Sequence, residues 1–255
     1  MEIWHSVILG FVEGVSEFLP ISSTGHLILA NSLLHIGETD FTKSFDIIIQ
    51  LGAILAVVVL FWKKIWHVPM LKKLIVGFIP TGIIGLVLYK IVKLYLLGNT
   101  TIVIWALLLG GLVIIVFELW HKESEQAVKD VDGITYKQAA LIGLFQSIAI
   151  IPGVSRSAAT IVGGMALGIS RTAIVEFSFL LAVPTLIAAS GLDLVKNASS
   201  FSGDQFGALA TGFVVSFLVA LAAIKLLLGY VRKHTFMPFG IYRVLLAIVF
   251  WFAIR

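Results

Sequence analysis

Long apolar runs alternate with short polar breaks along this chain. Six of the runs are long enough to cross a bilayer as helices, which takes about 20 mostly apolar residues. They cover residues 44–62, 74–96, 101–120, 173–195, 206–230 and 237–254. The pattern predicts an all-α polytopic membrane protein with six transmembrane helices.

Two further apolar segments are interrupted by polar residues and a proline. The first, residues 3–35, contains EGVSEFLPISSTGH at 13–26, and the second, residues 138–170, contains PGVSRSAAT at 152–160. Polar, non-helical backbone lies at membrane depth only where protein buries it or water reaches it. We therefore expect each segment to form a re-entrant pair of half-helices joined by a turn.

The order of these segments repeats along the chain, with one broken segment and three spans in each half. Gly10 and Gly143 open the two broken segments. Gly77 and Gly212 occupy matching spans at an offset of 135 residues. The pattern predicts a single integral membrane domain, 1–255, with repeat one at about 1–120, a linker at about 121–137 and repeat two at about 138–255.

Three spans are an odd number, so the second repeat is expected to enter the membrane in the opposite orientation. The loops around 98–100 and 197–205 contain no lysine or arginine. On the other side lie Lys63, Lys64, Lys72 and Lys73 in one loop, Lys122, Lys129 and Lys137 in the linker, and Arg232 and Lys233 in another loop. The positive-inside tendency places this basic side in the cytoplasm. The first broken segment then enters from outside and the second from inside.

The composition agrees with a membrane protein and narrows its chemistry. Of the 255 residues, 59% are hydrophobic and 13% are charged, and the mean hydropathy is +1.06. The net charge of +4 resides mostly in loops, which indicates membrane orientation and argues against nucleic-acid binding. Since the chain has no cysteine, thiolate chemistry is excluded, and a metal would need oxygen or imidazole ligands.

Glu13 and Glu17 lie four residues apart in the first broken segment, on one helix face. Two buried acids repel each other and are costly at membrane depth. A divalent cation, Mg²⁺ or Ca²⁺, would offset that cost, because both ions prefer hard oxygen ligands and bridge to phosphate oxygens. The alternative is a protonated or water-solvated pair that lines a cavity. Asp46 and Gln50 are candidates for supporting contacts.

A hydroxyl-rich turn follows the acids and contains Ser22, Ser23 and Thr24, with His26 at the start of the next half-helix. A serine within reach of a histidine or a glutamate is the minimum for an activated nucleophile. The alternative is that Ser22 and Thr24 only cap the second half-helix.

The second break supplies a complementary group of residues. Ser155 and Ser157 are positioned to cap the following helix, where Arg156 lies at the amino end and Thr160 about one turn later. Helix amino termini and arginine forks both bind tetrahedral oxyanions, so this stretch predicts a phosphate site. The alternative is a plain buried salt bridge between Arg156 and one of the two glutamates.

These two motifs resemble those of the bacterial undecaprenyl-diphosphate phosphatase family of the bacitracin-resistance type, and the resemblance extends over essentially the whole chain. One departure is Ala158, where the family pattern usually has glycine. By motif match, the resemblance implies functional roles for the acidic pair Glu13 and Glu17, for the turn residues Ser22, Ser23 and His26, and for the phosphate-binding residues Ser155, Arg156, Ser157 and Thr160.

The resemblance implies a cation-dependent membrane hydrolase that removes the terminal phosphate of undecaprenyl diphosphate, recycles the carrier lipid for peptidoglycan and other wall polymers, and confers bacitracin resistance. It also implies a multi-pass protein of the bacterial inner (plasma) membrane whose site opens to the outer face.

We expect Ser23 to be the nucleophile, with His26 or Glu17 as proton acceptor and Arg156 stabilising the phosphoryl group. Attack by a metal-bound water would use the same residues. The rival function is a secondary transporter or flippase for an anionic lipid. Whether the chain forms a homo-oligomer stays open.

Overall fold

The structure is a computed structural model that describes residues 1–37, 39–96, 98–197 and 205–253. Within these residues, regular structure is helical apart from one isolated bridge between Val128 and Ile169. The first half contains α1 (Ile3–Ser16), α2 (Ser23–Leu33), α3 (Asp40–Leu60), the short α4 (Trp62–Ile65), α5 (Val68–Ile91), which continues as a π-helix (Val92–Leu96), and α6 (Thr100–Trp120).

The second half repeats this order. A 3₁₀ turn (Val131–Gly133) precedes α7 (Tyr136–Ser147), a second 3₁₀ turn (Ile148–Ile150), α8 (Arg156–Ala166), α9 (Arg171–Asn197), α10 (Phe206–Tyr230) and α11 (Met237–Ala253). The predicted breaks are therefore real interruptions: a turn separates α1 from α2, and another separates α7 from α8.

Five helices of the described chain are long and apolar enough to cross a membrane: Asp40–Leu60, Val68–Ile91, Thr100–Trp120, Arg171–Gly191 and Phe206–Tyr230. The sixth predicted span corresponds to α11, which is apolar but has only 17 residues. The loop predicted at 197–205 falls largely on residues 198–204, which lie outside the described residues. The chain is thus an all-helical, multi-pass membrane protein.

The start of α5 and the end of the linker differ from the predictions. Helix α5 begins at Val68 instead of residue 74, so Lys72 and Lys73 lie in a helix and not in a loop. Pro69 favours this start because a first-turn proline lacks only an N–H that would have no helical acceptor. Helix α7 begins inside the predicted linker, where the Thr135 side chain accepts a hydrogen bond from the Gln138 N–H.

The helices of one half pack extensively on those of the other, in a reciprocal arrangement. Helix α1 packs on α10, and α7 packs on α5. A methyl group at Gly10 would lie 2.6 Å from the carbonyl oxygen of Gly212, and one at Gly143 would lie 1.9 Å from that of Gly77. Only glycine permits such close backbone approach. The four glycines that suggested the repeat are therefore the contact points between the halves.

The core lies around α3 and α9, which pack on each other. Phe45 of α3 and Phe177 of α9 are fully buried. Phe18, in the turn after α1, contacts Phe179 of α9 edge to face, with ring centroids 5.3 Å apart. This aromatic contact holds the first turn against the centre of the protein, next to the second turn.

Candidate active site

Ser22 and Ser155 have matching conformations immediately before α2 and α8. Their backbone angles are φ 72°, ψ 95° and φ 74°, ψ 115°, in a region that residues other than glycine rarely adopt. Each serine caps the helix that follows: Ser22 Oγ accepts the Gly25 N–H at 3.4 Å, and Ser155 Oγ accepts the Ala158 N–H at 3.2 Å. Ser22 and Ser155 are thus the capping residues at the two breaks, whereas the other candidates, Thr24 and Ser157, are the second residues of α2 and α8.

Hydrogen bonds join the two turns directly. The buried Ser157 hydroxyl donates to the carbonyl oxygen of Leu19 at 2.8 Å. The Arg156 guanidinium reaches Glu17, at the end of α1, with Nη2 3.3 Å from Oε1. Its Nη1 donates to the carbonyl oxygen of Ser178 at 2.9 Å. Acids and arginine, distant in sequence, therefore lie together in one buried polar cluster.

Glu17 is the centre of this polar cluster. Its Oε2 accepts the Ser23 hydroxyl at 2.5 Å, while its Oε1 accepts Arg156. One carboxylate thus links a hydroxyl to a guanidinium, which is the arrangement needed to take a proton from Ser23 beside a group that binds oxyanions. The predicted ion pair between Arg156 and Glu17 is present. Glu17 also accepts a hydrogen bond from the Ser23 hydroxyl, which a plain salt bridge does not need.

Glu13 lies one turn before Glu17 and is only 1% exposed. Within the described residues, no donor lies at hydrogen-bonding distance from either of its carboxylate oxygens. Its charged neighbours are the carboxylates of Glu17 and Asp46 and the guanidinium of Arg156. An ionised carboxylate beside two like charges would need compensation, which protonation, water or a hard divalent cation would provide.

A divalent cation at this position would be held by few protein ligands. The described chain contains no group of three or more acidic or histidine side chains arranged to hold a metal. Glu13 and Glu17 would therefore supply the carboxylate oxygens, and water and substrate phosphate would complete the coordination, as is usual for Mg²⁺.

His26 is bonded to residues other than Ser23. Its Nδ1 lies 2.7 Å from the carbonyl oxygen of Ser22, and its Nε2 lies 2.7 Å from the Tyr242 hydroxyl, on α11. Because a carbonyl only accepts hydrogen bonds, Nδ1 carries the proton and Nε2 accepts from Tyr242. The two rings also stack, with an interplanar angle of 9°.

The remaining predicted residues take different positions. Thr24 is exposed in the first turn of α2. Thr160 is buried, with its hydroxyl 2.6 Å from the Ser178 hydroxyl and 3.0 Å from the Arg156 carbonyl oxygen. Ser155 Oγ lies 3.2 Å from Ser157 Oγ. Their roles in phosphate binding stay predictions.

Sequence reasoning missed Ser178, Tyr242 and Arg243. Ser178 contributes its hydroxyl to Thr160 and its backbone carbonyl to Arg156, and for the carbonyl the sequence carries no signal. Tyr242 and Arg243 lie in the last predicted span, and an arginine in the middle of an apolar run was a usable signal, since charged residues at membrane depth are usually functional.

Comparison with known proteins agrees with this chemistry. The sequence matches the family model described as bacitracin resistance protein BacA over residues 6–249. The undecaprenyl-diphosphatase of Persephonella marina is 52% identical over 251 residues, covering 98% of each chain. The protein of that name from Sulfurihydrogenibium sp. is 51% identical over 251 residues, covering 98% of this chain and 99% of the relative. That from Aquifex aeolicus is 49% identical over 251 residues, covering 98% of each. This chain belongs to the bacitracin resistance protein BacA family.

Proposed function

We propose that this chain hydrolyses undecaprenyl diphosphate to undecaprenyl phosphate and inorganic phosphate. The product is the carrier lipid that peptidoglycan and other wall-polymer pathways reuse, and its supply underlies bacitracin resistance. The observation that carries the reaction type is the bonding of Glu17 to both Ser23 and Arg156. The names of the relatives indicate the substrate.

The first chemical step uses the bond between Ser23 and Glu17. Glu17 takes the hydroxyl proton as Ser23 Oγ attacks the terminal phosphorus, and the bond from that phosphorus to the bridging oxygen breaks. Undecaprenyl phosphate leaves, and the phosphoryl group stays on Ser23. We assign the proton to Glu17 and not to His26, because Glu17 is the group in contact with the hydroxyl.

The second step returns the enzyme to its starting state. The proton that Glu17 took from Ser23 first passes to the departing lipid phosphate, so that Glu17 is again a carboxylate. Glu17 then accepts a proton from water as the water oxygen attacks the phosphoserine, and it returns that proton to Ser23 Oγ as inorganic phosphate leaves. The Arg156 fork and the amino end of α8 stabilise negative charge on the phosphoryl oxygens in both steps. Direct attack by water on the lipid diphosphate would use the same residues in one step.

A divalent cation bound by Glu13 and Glu17 would supply positive charge to the substrate phosphate oxygens. The support for this assignment is the buried carboxylate of Glu13, which has acidic neighbours and no protein donor among the described residues.

We further propose six spans and two re-entrant pairs in an inverted repeat, with α11 as the shortest span. The support is the reciprocal packing of Gly10 with Gly212 and of Gly143 with Gly77. The matched conformations of the two capping serines agree with it. We also propose that the protein resides in a bacterial inner membrane with its site open to the outer face. The loop charges, together with the family resemblance, support this orientation.

The decisive experiment is phosphate release from undecaprenyl diphosphate by the purified protein in detergent with Mg²⁺ or Ca²⁺. Arg156→Lys keeps the charge but loses the planar fork, and it should lower kcat by about 10³-fold. Lys129→Met, which removes an exposed positive charge from the linker, is the matched control and should retain full activity. The proposal is wrong if the wild-type protein releases no phosphate.

The transporter interpretation predicts a different result. A carrier would move the lipid diphosphate between leaflets of reconstituted vesicles without releasing phosphate. The hydroxyl bonded to Glu17 has no function in such a carrier, and relatives named diphosphatase favour hydrolysis.

A further inference from the structure

Arg243 of α11 is the largest fully buried side chain of the described residues, with no exposed surface. It forms no salt bridge within the part of the chain that the structure describes. Its guanidinium donates only to backbone carbonyls. Nη1 contacts Val154 at 2.8 Å and Pro20 at 3.3 Å, Nη2 contacts Gly153 and Ala106 at 2.9 Å each, and Nε contacts Leu107 at 3.3 Å.

Three of these five carbonyls belong to the two active-site turns, and the other two, of Ala106 and Leu107, belong to α6. Pro20 lies between Glu17 and Ser23 in the first turn. Gly153 and Val154 directly precede Ser155 and Arg156 in the second turn. A single rigid, planar group therefore joins the segment that carries the acid and the hydroxyl to the segment that carries the phosphate-binding arginine.

The electrostatic setting explains why a cation is held there without an acid. Five carbonyl oxygens converge on the guanidinium, and the partial negative charge of each oxygen stabilises its positive charge. Placing a charge at membrane depth is nevertheless costly, and an apolar residue would avoid that cost. Such an arrangement indicates a role beyond packing.

Helix α6 leaves room for this guanidinium. A methyl group at Gly110 would lie 2.2 Å from Arg243 Nη2, so alanine there would displace the group. Gly153 has φ +93°, and a methyl group there would lie 2.7 Å from the Val103 carbonyl oxygen. The position of the Arg243 guanidinium thus depends on one glycine in α6 and one in the second turn.

We propose that Arg243 is a positioning residue for phosphate hydrolysis. Its guanidinium fixes the separation of the two turns, and through them it aligns Ser23 and Glu17 with Arg156. This inference rests on the proposed function where it is tested by measuring phosphate release. The distance between the two turns can be measured without any enzymatic activity.

The test compares Arg243→Lys and Gly110→Ala with a glycine control. Lysine keeps the charge but lacks the fork, and Gly110→Ala keeps the arginine while displacing it. Gly229→Ala is the control, because a methyl group there meets no atom within 4 Å. We expect kcat to fall about 10²-fold in the first two variants, with KM nearly unchanged, since misplacement of about 1 Å has that effect.

The geometric readout uses the absence of cysteine from the chain. Cysteines introduced at Leu33 and Ala166, exposed residues of α2 and α8, carry spin labels for distance measurement. We expect a shifted or broadened distance distribution in Arg243→Lys and Gly110→Ala, and an unchanged one in Gly229→Ala.

Wild-type kcat and wild-type distances in both folded variants would overturn the proposal. The proposal would also be overturned if the loss of activity matched the loss of folded protein, or if both variants failed to fold. If only Arg243→Lys fails to fold, the kcat and the distances of the Gly110→Ala variant provide the test. If the wild-type protein releases no phosphate, the proposed function fails, and the distance distributions still test whether Arg243 sets the separation of the turns.

Discussion

The Ser23 hydroxyl donates a hydrogen bond of 2.5 Å to the Glu17 carboxylate. His26, three residues after Ser23, is instead bonded to the Ser22 carbonyl and the Tyr242 hydroxyl. The sequence left both His26 and Glu17 open as proton acceptors for Ser23. The geometry favours Glu17, and it leaves His26 to hold the turn in place against α11.

Replacing Ser23 by alanine tests the nucleophile. If Ser23 forms the covalent intermediate, Ser23→Ala should lower kcat by at least about 10³-fold, because the phosphoryl acceptor is lost. Acid quenching of wild-type turnover should trap phosphoserine at this position, detected by mass spectrometry. Thr24→Ala, at the exposed neighbouring hydroxyl, is the comparison. Retention of most of the rate by Ser23→Ala, with no trapped phosphoserine, would assign the attack to water.

Replacing Glu13 by glutamine tests the cation site without measuring turnover. Wild-type protein should gain thermal stability when Mg²⁺ or Ca²⁺ is added, by about 2.7 kcal/mol at 100 times the dissociation constant. Glu13→Gln removes the charge but keeps the shape, so its melting temperature should rise without metal and respond little to added metal. An equal response to metal in both proteins would exclude Glu13 as a ligand.

Gln146 follows Gly143 by three residues, as Glu13 follows Gly10, so the two side chains occupy matching positions in α7 and α1. Replacing Gln146 by glutamate is therefore the reverse of Glu13→Gln. Its Nε2 donates to the hydroxyls of Thr81 and Thr185, which themselves donate to backbone carbonyls. Glutamate here would be a buried charge without donors, so Gln146→Glu should cost about 3 kcal/mol. Gln146→Met, without a charge, is the control and should cost less. Thermal unfolding in detergent measures both, and equal losses would contradict this explanation.

The glycine contacts between the halves should be sensitive to a single methyl group. Gly143→Ala would place that group 1.9 Å from the Gly77 carbonyl oxygen, so α5 and α7 must separate. We expect a loss of about 1–3 kcal/mol, as in other overpacked cores. Gly229→Ala, in open space, should instead gain about 0.5–1 kcal/mol from helix propensity. A stable Gly143→Ala protein would show that the two helices separate without cost.

Much of the site was predictable because polar residues are conspicuous in so apolar a chain. Glu13, Glu17, Ser23 and Arg156 each stood out, and the structure brings all four together. The pairing of individual atoms was not predictable. Whether the Glu17 carboxylate reaches the Ser23 hydroxyl depends on the angle between α1 and α2, and no spacing along the chain reports that angle.

The residues that were missed share one physical cause. Tyr242 and Arg243 act on turns more than 80 residues away in sequence, so nothing near them indicates their targets. Ser178 contacts Arg156 through its carbonyl, which every residue has, and only its contact with Thr160 uses the hydroxyl. The hydropathy pattern also predicted too late a start for α5, because the charged Lys72 and Lys73 suggested a loop. The proline in the first turn of the helix instead supports a start at Val68.

The contact between Gly10 and Gly212 has a consequence for biosynthesis. Ribosomes add about 5–20 residues per second, so the roughly 200 residues between these glycines take about 10–40 s to appear. During that interval the nascent α1, with its acidic side chain, resides at the insertion machinery without the helix it will finally pack against. Maturation of this protein must therefore wait for the ribosome to finish α10, and a chain stalled before that point has no route to the native arrangement.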